Sequence, residues 1–198
     1  MNVPASGFKF VWRLHPAMRR ILLSLITVLF AIAAFAADMP KVGDKAPDFK
    51  LTSGEGSQVS LKAYRGKWVV LYFYPRNFTS GCTIEAHNFQ RDLDQYTKAN
   101  AVILGVSVDP ATEGERSQKL FCEKEGLHFK TLSDVDTNVS KTYGSLMSHG
   151  DVKFSTRNTF IVNPKGKIVK VFEKVNPEPH SAEVLAALTA LQSAKSKK

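Results

Sequence analysis

The sequence predicts an α/β domain in which helices flank a mixed central sheet, and three observations carry that expectation. Short runs rich in β-branched and aromatic residues alternate with longer stretches of helical period. One of these runs, Trp68 to Tyr74 (WVVLYFY), is almost unbroken in its apolarity, as a central strand buried on both faces would be. Its counterpart, Ala101 to Val108 (AVILGVSV), follows after a helix-length interval, which makes a βαβ unit.

The elements follow in order from the amino terminus. Residues 1 to 20 carry Lys9, Arg13, Arg19 and Arg20 and no acidic residue, and the apolar run Ile21 to Ala34 comes next. A basic n-region leading into an h-region marks a secretory signal. Ala34 and Ala36 are small residues where a signal peptidase reads, and the chain turns polar at Asp38 and Lys41. Residues 1–36 are therefore expected to be cleaved off and the protein to work in the periplasm. The competing reading is an uncleaved anchor. Ile21 to Ala37 offers 17 residues, the bottom of the range of about 17 to 25 that spans a bilayer, so stable membrane insertion is not expected.

The remaining 162 residues, 37–198, suit one domain with a sizeable core. After the strand at 68–74 a helix is expected from about Cys82 to Lys98. After the strand at 101–108 come a helix from about Thr112 to Glu125 and a short one near Asp136 to Tyr143. Two further strands, Thr159 to Val162 and Ile168 to Phe172, flank Asn163-Pro164-Lys165-Gly166, a turn signal between apolar runs, and pair as a hairpin. A last helix, Ala182 to Gln192, closes the domain. Lys195, Lys197 and Lys198 read as a basic, disordered tail from about 194. The order is β-α-β-α-α-β-β-α.

The formal charge of +9 overstates the basicity of the exported domain, because the leader holds four of the 27 Lys and Arg residues and none of the 18 acidic ones. Twenty-three basic against 18 acidic residues leave +5. Nucleic-acid binding would need a basic stripe interleaved with stacking aromatics, whereas the aromatics here lie in strand-like runs. A metal site is not expected either. Cys82 and His87 are five apart and Cys122 and His128 six, while helix faces align at three or four. His149 and His180 fall in polar loops and read as solvated.

Chemistry is left to two cysteines in different settings. Cys82 lies just past the central strand, in Pro75-Arg76-Asn77-Phe78-Thr79-Ser80-Gly81-Cys82-Thr83-Ile84-Glu85. The carboxyl end of a strand is where ligands and reactive groups gather in an α/β sheet. Thr79 and Ser80 are good N-cap residues and Gly81 permits close backbone approach, so Cys82 is expected in the first turn of the next helix. Unpaired N–H groups and the positive end of the helix dipole there favour thiolate over thiol, and the thiolate is the nucleophile.

The string from Pro75 through Thr79 to Cys82 resembles the P-x-x-x-[TS]-x-x-C signature of peroxiredoxins, with Glu85 on the acidic residue that often follows it. VGDKAPDF at 42–49, LYFYPRNFTSGCTIEA at 71–86 and RNTFIVNPKGKI at 157–168 are similar to the peroxiredoxin Q, or bacterioferritin comigratory protein, subfamily of AhpC/TSA-like proteins. The likeness covers nearly all of residues 37–198. It implies a thioredoxin-like fold with a peroxiredoxin N-terminal extension, and a monomer without cofactor. The activity it implies is reduction of hydrogen peroxide and organic hydroperoxides with electrons from a thioredoxin-like or glutaredoxin-like protein. By the same resemblance Cys82 is the peroxidatic cysteine, Pro75 shields it, the Thr79 hydroxyl holds the peroxide, and Arg157 stabilises thiolate and transition state. Peroxide cleavage moves negative charge from sulfur to the departing oxygen, so fixed donors around both oxygens lower the barrier. Glu85 is a supporting residue, although an acid in a first helical turn is favoured by the dipole without any catalysis.

The sequence also departs from the subfamily. Many members carry a second cysteine five residues after the first; here that position is His87, and Ser80 stands where proline is common. A sulfenic acid at Cys82 must condense with something before more peroxide drives it to sulfinic acid, and Cys122 is the one remaining cysteine. In projection Leu120 and Phe121 mark the apolar side of its helix, while Cys122 clusters with Glu115, Gln118 and Lys119 on the polar side, expected to be accessible. Some subfamily members place a resolving cysteine in this helix, which implies an intramolecular Cys82–Cys122 disulfide formed after local unfolding, since bonded Cα atoms must come within about 7 Å. A one-cysteine enzyme resolved by an outside thiol and an inert Cys122 are the rival readings. Two other function classes stay open. One is an exported thioredoxin-fold thiol-disulfide oxidoreductase, whose C-x-x-C pair is missing because Glu85 holds its second position. The other is a non-enzymatic binding module stapled by a Cys82–Cys122 bridge.

Overall fold

The computed structural model describes residues 39–196, so the expected signal segment lies outside the described residues. The chain opens with strands β1 (Lys50–Ser53) and β2 (Gln58–Ser60), a 3-10 turn (Leu61–Tyr64) and β3 (Trp68–Phe73). Helices α1 (Ser80–Arg91) and α2 (Leu93–Lys98) lead to β4 (Ala101–Ser107), followed by α3 (Gln118–Glu125), β5 (Lys130–Ser133) and α4 (Asn138–Thr142). The hairpin β6 (Leu146–His149) and β7 (Val152–Ser155), strands β8 (Thr159–Val162) and β9 (Ile168–Phe172), and α5 (His180–Ser196) complete it.

Seven strands form one mixed sheet in the order β2-β1-β5-β4-β3-β8-β9, and β6 and β7 pair apart from it. β3 runs parallel to β4 and β4 to β5, the βαβ order read from the sequence. β8 turns the sheet antiparallel against β3 and pairs with β9 across the expected turn. The thioredoxin-like α/β architecture is thus the one predicted, and β1 and β2 are its N-terminal extension.

β3 sits in the middle because it can be buried on both faces. Trp68, Val70, Tyr72 and Tyr74 point into one core with Cys82, Phe89, Tyr96, Phe121, Val184 and Leu188. Val69, Leu71 and Phe73 point into the other with Leu104, Val106, Leu132, Tyr143 and Phe160. Alternation along a strand sorts the two sets. Gly105, opposite Tyr72 on β4, leaves room for that ring: a Cβ there would lie 2.8 Å from the phenol carbons.

Five differences from the sequence expectation have physical reasons. β1, β2, β5, β6 and β7 were not anticipated, being three or four residues long and polar on one side, so only pairing reveals them. The helix expected over 82–98 breaks at Asp92, whose carboxylate accepts from Arg91 Nε at 2.9 Å and from Ser181 Oγ at 2.8 Å. The helix expected from Thr112 begins only at Gln118, after Gly114 at φ +90° and under an N-cap from Ser117, whose Oγ accepts the Leu120 N–H at 3.3 Å. α5 runs through Ser196, past the point near 194 where a disordered tail was expected. It also starts earlier, at His180, which is fully buried rather than solvated: its Nε2 lies 2.8 Å from Thr159 Oγ1. Among the described residues no helix is long and apolar enough to cross a membrane.

Candidate active site

β3 ends where Pro75, lacking an N–H, interrupts the ladder, and a short loop carries the chain into α1. Phe78 in that loop adopts φ +61°, a left-handed conformation uncommon outside glycine. Its half-buried ring packs edge-on against Phe121 at 5.2 Å. Thr79 takes the N-cap position with extended dihedrals, but its side chain does not cap. The hydroxyl instead donates to the Arg76 carbonyl at 3.1 Å, while the Thr79 carbonyl accepts the Thr83 N–H at 2.9 Å. Cys82 is the third residue of α1, as expected, so its N–H is one of those a helix leaves without an intrahelical partner.

Cys82 is buried, with 1% of its surface exposed. Arg157, two residues before β8, reaches across to it: Nη2 donates to Cys82 Sγ at 3.3 Å and Nη1 to Glu85 Oε2 at 2.7 Å. One planar guanidinium therefore bridges the sulfur and a carboxylate one helical turn further on. Gly81 makes this approach possible, since a Cβ there would lie 2.7 Å from Arg157 Nη2. Glu85 is wholly buried and its Oε1 has no partner. Burial pushes its carboxyl up to about 7, even though the Arg157 charge pulls the other way. Of the sequence-predicted residues, Cys82, Glu85 and Arg157 meet at one point, and Pro75 and Thr79 line the loop that leads to it.

Cys122 is placed differently from expectation. It is half-buried rather than openly accessible, packs against the first core, and has its Sγ 3.1 Å from Thr131 Oγ1. Gln118, expected beside it on a polar face, is completely buried. Burial pushes the Cys122 thiol up, partly offset by Thr131. Both cysteines are free thiols. Cys122 borders a cavity of about 290 Å³ lined also by Gly54, Lys119, His128 and Thr131.

Residues that sequence reasoning missed hold the loop in place. Asp109, just past the end of β4, accepts the Asn77 N–H at 2.7 Å and an Arg76 N–H at 3.1 Å. The strand-end rule that located Cys82 applies to Asp109 as well, and was the available signal. Tyr74, Asn77 and Gln118 join the same buried polar group. His180 approaches from α5; burial lowers it to about 4, with the Arg157 charge adding to the effect.

A thioredoxin-like sheet bearing one strand-end cysteine under an arginine, with Glu85 where a disulfide exchanger would hold its second cysteine, has the form of a thiol peroxidase. The family comparison agrees: the AhpC/TSA family profile matches residues 42–171, and the chain belongs to that family. Within the family it groups with the Bcp, or peroxiredoxin Q, proteins. It is 35% identical over 152 residues to peroxiredoxin Bcp of Escherichia coli, covering 73% of this chain and 93% of the relative. To peroxiredoxin Bcp of Xanthomonas campestris it is 37% identical over 147 residues, covering 72% and 89%. Among solved structures, peroxiredoxin Q of Xanthomonas campestris superimposes with a TM-score of 0.68 at 35% identity, over 76% of this chain and 96% of that one.

Proposed function

We propose that this thiol peroxidase is exported, reduces hydrogen peroxide and organic hydroperoxides at Cys82, and closes its cycle through Cys122. The observation that carries the reading is the Arg157 guanidinium, which touches Cys82 Sγ and Glu85 Oε2 at once. In the first step the thiolate attacks one peroxide oxygen and the O–O bond breaks. Sulfur gains the oxygen as a sulfenic acid, and the other oxygen leaves as water or an alcohol once protonated. Arg157, the Thr79 hydroxyl and the N–H groups of the first α1 turn surround the place where that charge develops, and such preorganised donors are worth several kcal/mol. Thr79 must turn its proton from the Arg76 carbonyl to serve.

In the second step the Cys122 sulfur bonds to the sulfenic sulfur and one water departs. Cys122 is held on α3 with its thiol proton favoured by burial, so α3 must open before this happens. A thioredoxin-like or glutaredoxin-like dithiol then reduces the disulfide and is itself oxidised. Export to the periplasm follows from the basic and apolar leader at 1–36, and the monomer from resemblance.

Stopped-flow oxidation by hydrogen peroxide tests the first step: Cys82→Ser should abolish the rapid thiol loss, and a variant reacting as fast as the parent would end the peroxidase assignment of this residue. Mass spectrometry after one equivalent of peroxide tests the second, where an 82–122 crosslink is expected. A lasting sulfenic acid beside a free Cys122 would reassign resolution to an external thiol. Periplasmic protein whose intact mass begins at Ala37 would support export; a membrane-fraction protein of full length would favour the anchor.

A further inference from the structure

The segment leading into Cys82 and the segment leading into Cys122 are bound to each other, not only to the sheet. Arg116 Nη1 donates to the Asn77 carbonyl at 2.7 Å, and Asn77 Nδ2 donates back to the Arg116 carbonyl at 2.7 Å. The Tyr74 hydroxyl lies 2.8 Å from Asn77 Oδ1 and 2.7 Å from Gln118 Oε1, sharing its one proton between them. The Gln118 amide continues to Ser107 Oγ at 2.8 Å and the Leu132 carbonyl at 3.2 Å. Phe78 meets Phe121 edge to face. Farther along, His87 on α1 pairs with Glu125 on α3 at 2.9 Å, and Gln90 Oε1 accepts the His128 N–H at 2.7 Å.

Tyr74, Asn77 and Gln118 are 1%, 0% and 0% exposed. Breaking part of this seam strands buried polar groups before water can reach them, so half-open states are disfavoured relative to closed and fully open ones. We propose that the seam makes α1 and α3 open together, in one cooperative step, and that Gln118 sets how often they do so. The proposal rests on the resolving role given to Cys122. Gln118 touches neither sulfur and is a positioning residue: it governs the competition between disulfide formation and a second peroxide that oxidises the sulfenic acid to sulfinic acid.

Gln118→Leu keeps the side-chain bulk and helix propensity but removes the amide. Native-state hydrogen exchange on the reduced protein should show the segments 76–84 and 116–124 exchanging through a common opening in the parent. Both should be accelerated roughly tenfold in the variant. Acceleration confined to 116–124 would overturn the proposal. No peroxide enters this measurement, so it decides the seam even if the parent forms no 82–122 crosslink, an outcome that would instead remove the resolving role of Cys122. With peroxide, Gln118→Leu should form the disulfide faster and accumulate several-fold less sulfinic acid per turnover; parent-like values for resolution and sulfinic acid would count against it. Arg116→Ala, at an exposed residue, serves if the leucine variant does not fold. It should accelerate both segments about threefold, and parent exchange in both would overturn the seam.

Discussion

At the scale of the residue, reactivity turns on how closely Arg157 can approach Cys82, and Gly81 controls that approach. The guanidinium occupies the space a side chain at 81 would fill, and a Cβ there would also lie 3.5 Å from Pro177 Cγ. Its flexible end, not the helix, must yield to a methyl group. Gly81→Ala should therefore slow Cys82 oxidation by on the order of tenfold or more through loss of an aligned donor, and not beyond the effect of Arg157→Met. Stopped-flow kinetics with a parallel urea titration check this, because the titration separates a lost donor from a change in stability at this half-buried position. An unaltered rate would mean that the 3.3 Å contact is dispensable. The string around Cys82 made this position legible from the sequence, including the need for close approach at Gly81. The direction from which Arg157 arrives, 75 residues later in the chain, was accessible only by resemblance.

At the scale of the element, α3 is short and depends on its ends. Ser117 caps its start, and Gly126, at φ +61°, ends it. Ser117→Ala should cost about 1 kcal/mol and fray the helix that carries Cys122, a loss readable as a lowered urea midpoint; an unshifted midpoint would show that the cap contributes nothing. Helical period placed Cys122 and Gln118 on a polar face because a projection assumes that one side of a helix meets water. The first turn of α3 instead meets the ends of β3 and β4 and the middle of β5, so Gln118 is buried and satisfied by Tyr74, Ser107 and Leu132, while Lys119, Glu123 and Lys124 stay exposed. The same limit applies to His180, read as solvated because its sequence neighbours are polar, yet enclosed by Phe89, Phe172 and Thr159.

At the scale of the whole molecule, two buried titrating groups oppose each other. Folding raises Glu85 from 4.5 to about 7, so its contribution to stability falls as pH rises across that window. Folding lowers His180 from 6.5 to about 4, so its contribution is lost as pH falls across that one. Each shift, 7 − 4.5 and 6.5 − 4, is about 2.5 units, roughly 3 kcal/mol, and the slopes cancel where they overlap, between about pH 4.5 and 6.5. Glu85→Gln should gain stability relative to the parent as pH rises from 5 to 7, and His180→Asn should lose it. Urea midpoints at the two pH values measure both, and variants that track the parent would show that folding shifts neither group. Determined by the sequence alone were the α/β class, the central strand, the βαβ order and the nucleophile at a helix start, since each follows from local periodicity, turn chemistry and the helix dipole. Only the tertiary structure decided the short edge strands, the break at Asp92, the enclosure of His180 and the seam that binds Asn77 to Arg116 and Gln118. Those depend on which distant groups meet in the absence of water, and no pattern along the chain encodes that meeting.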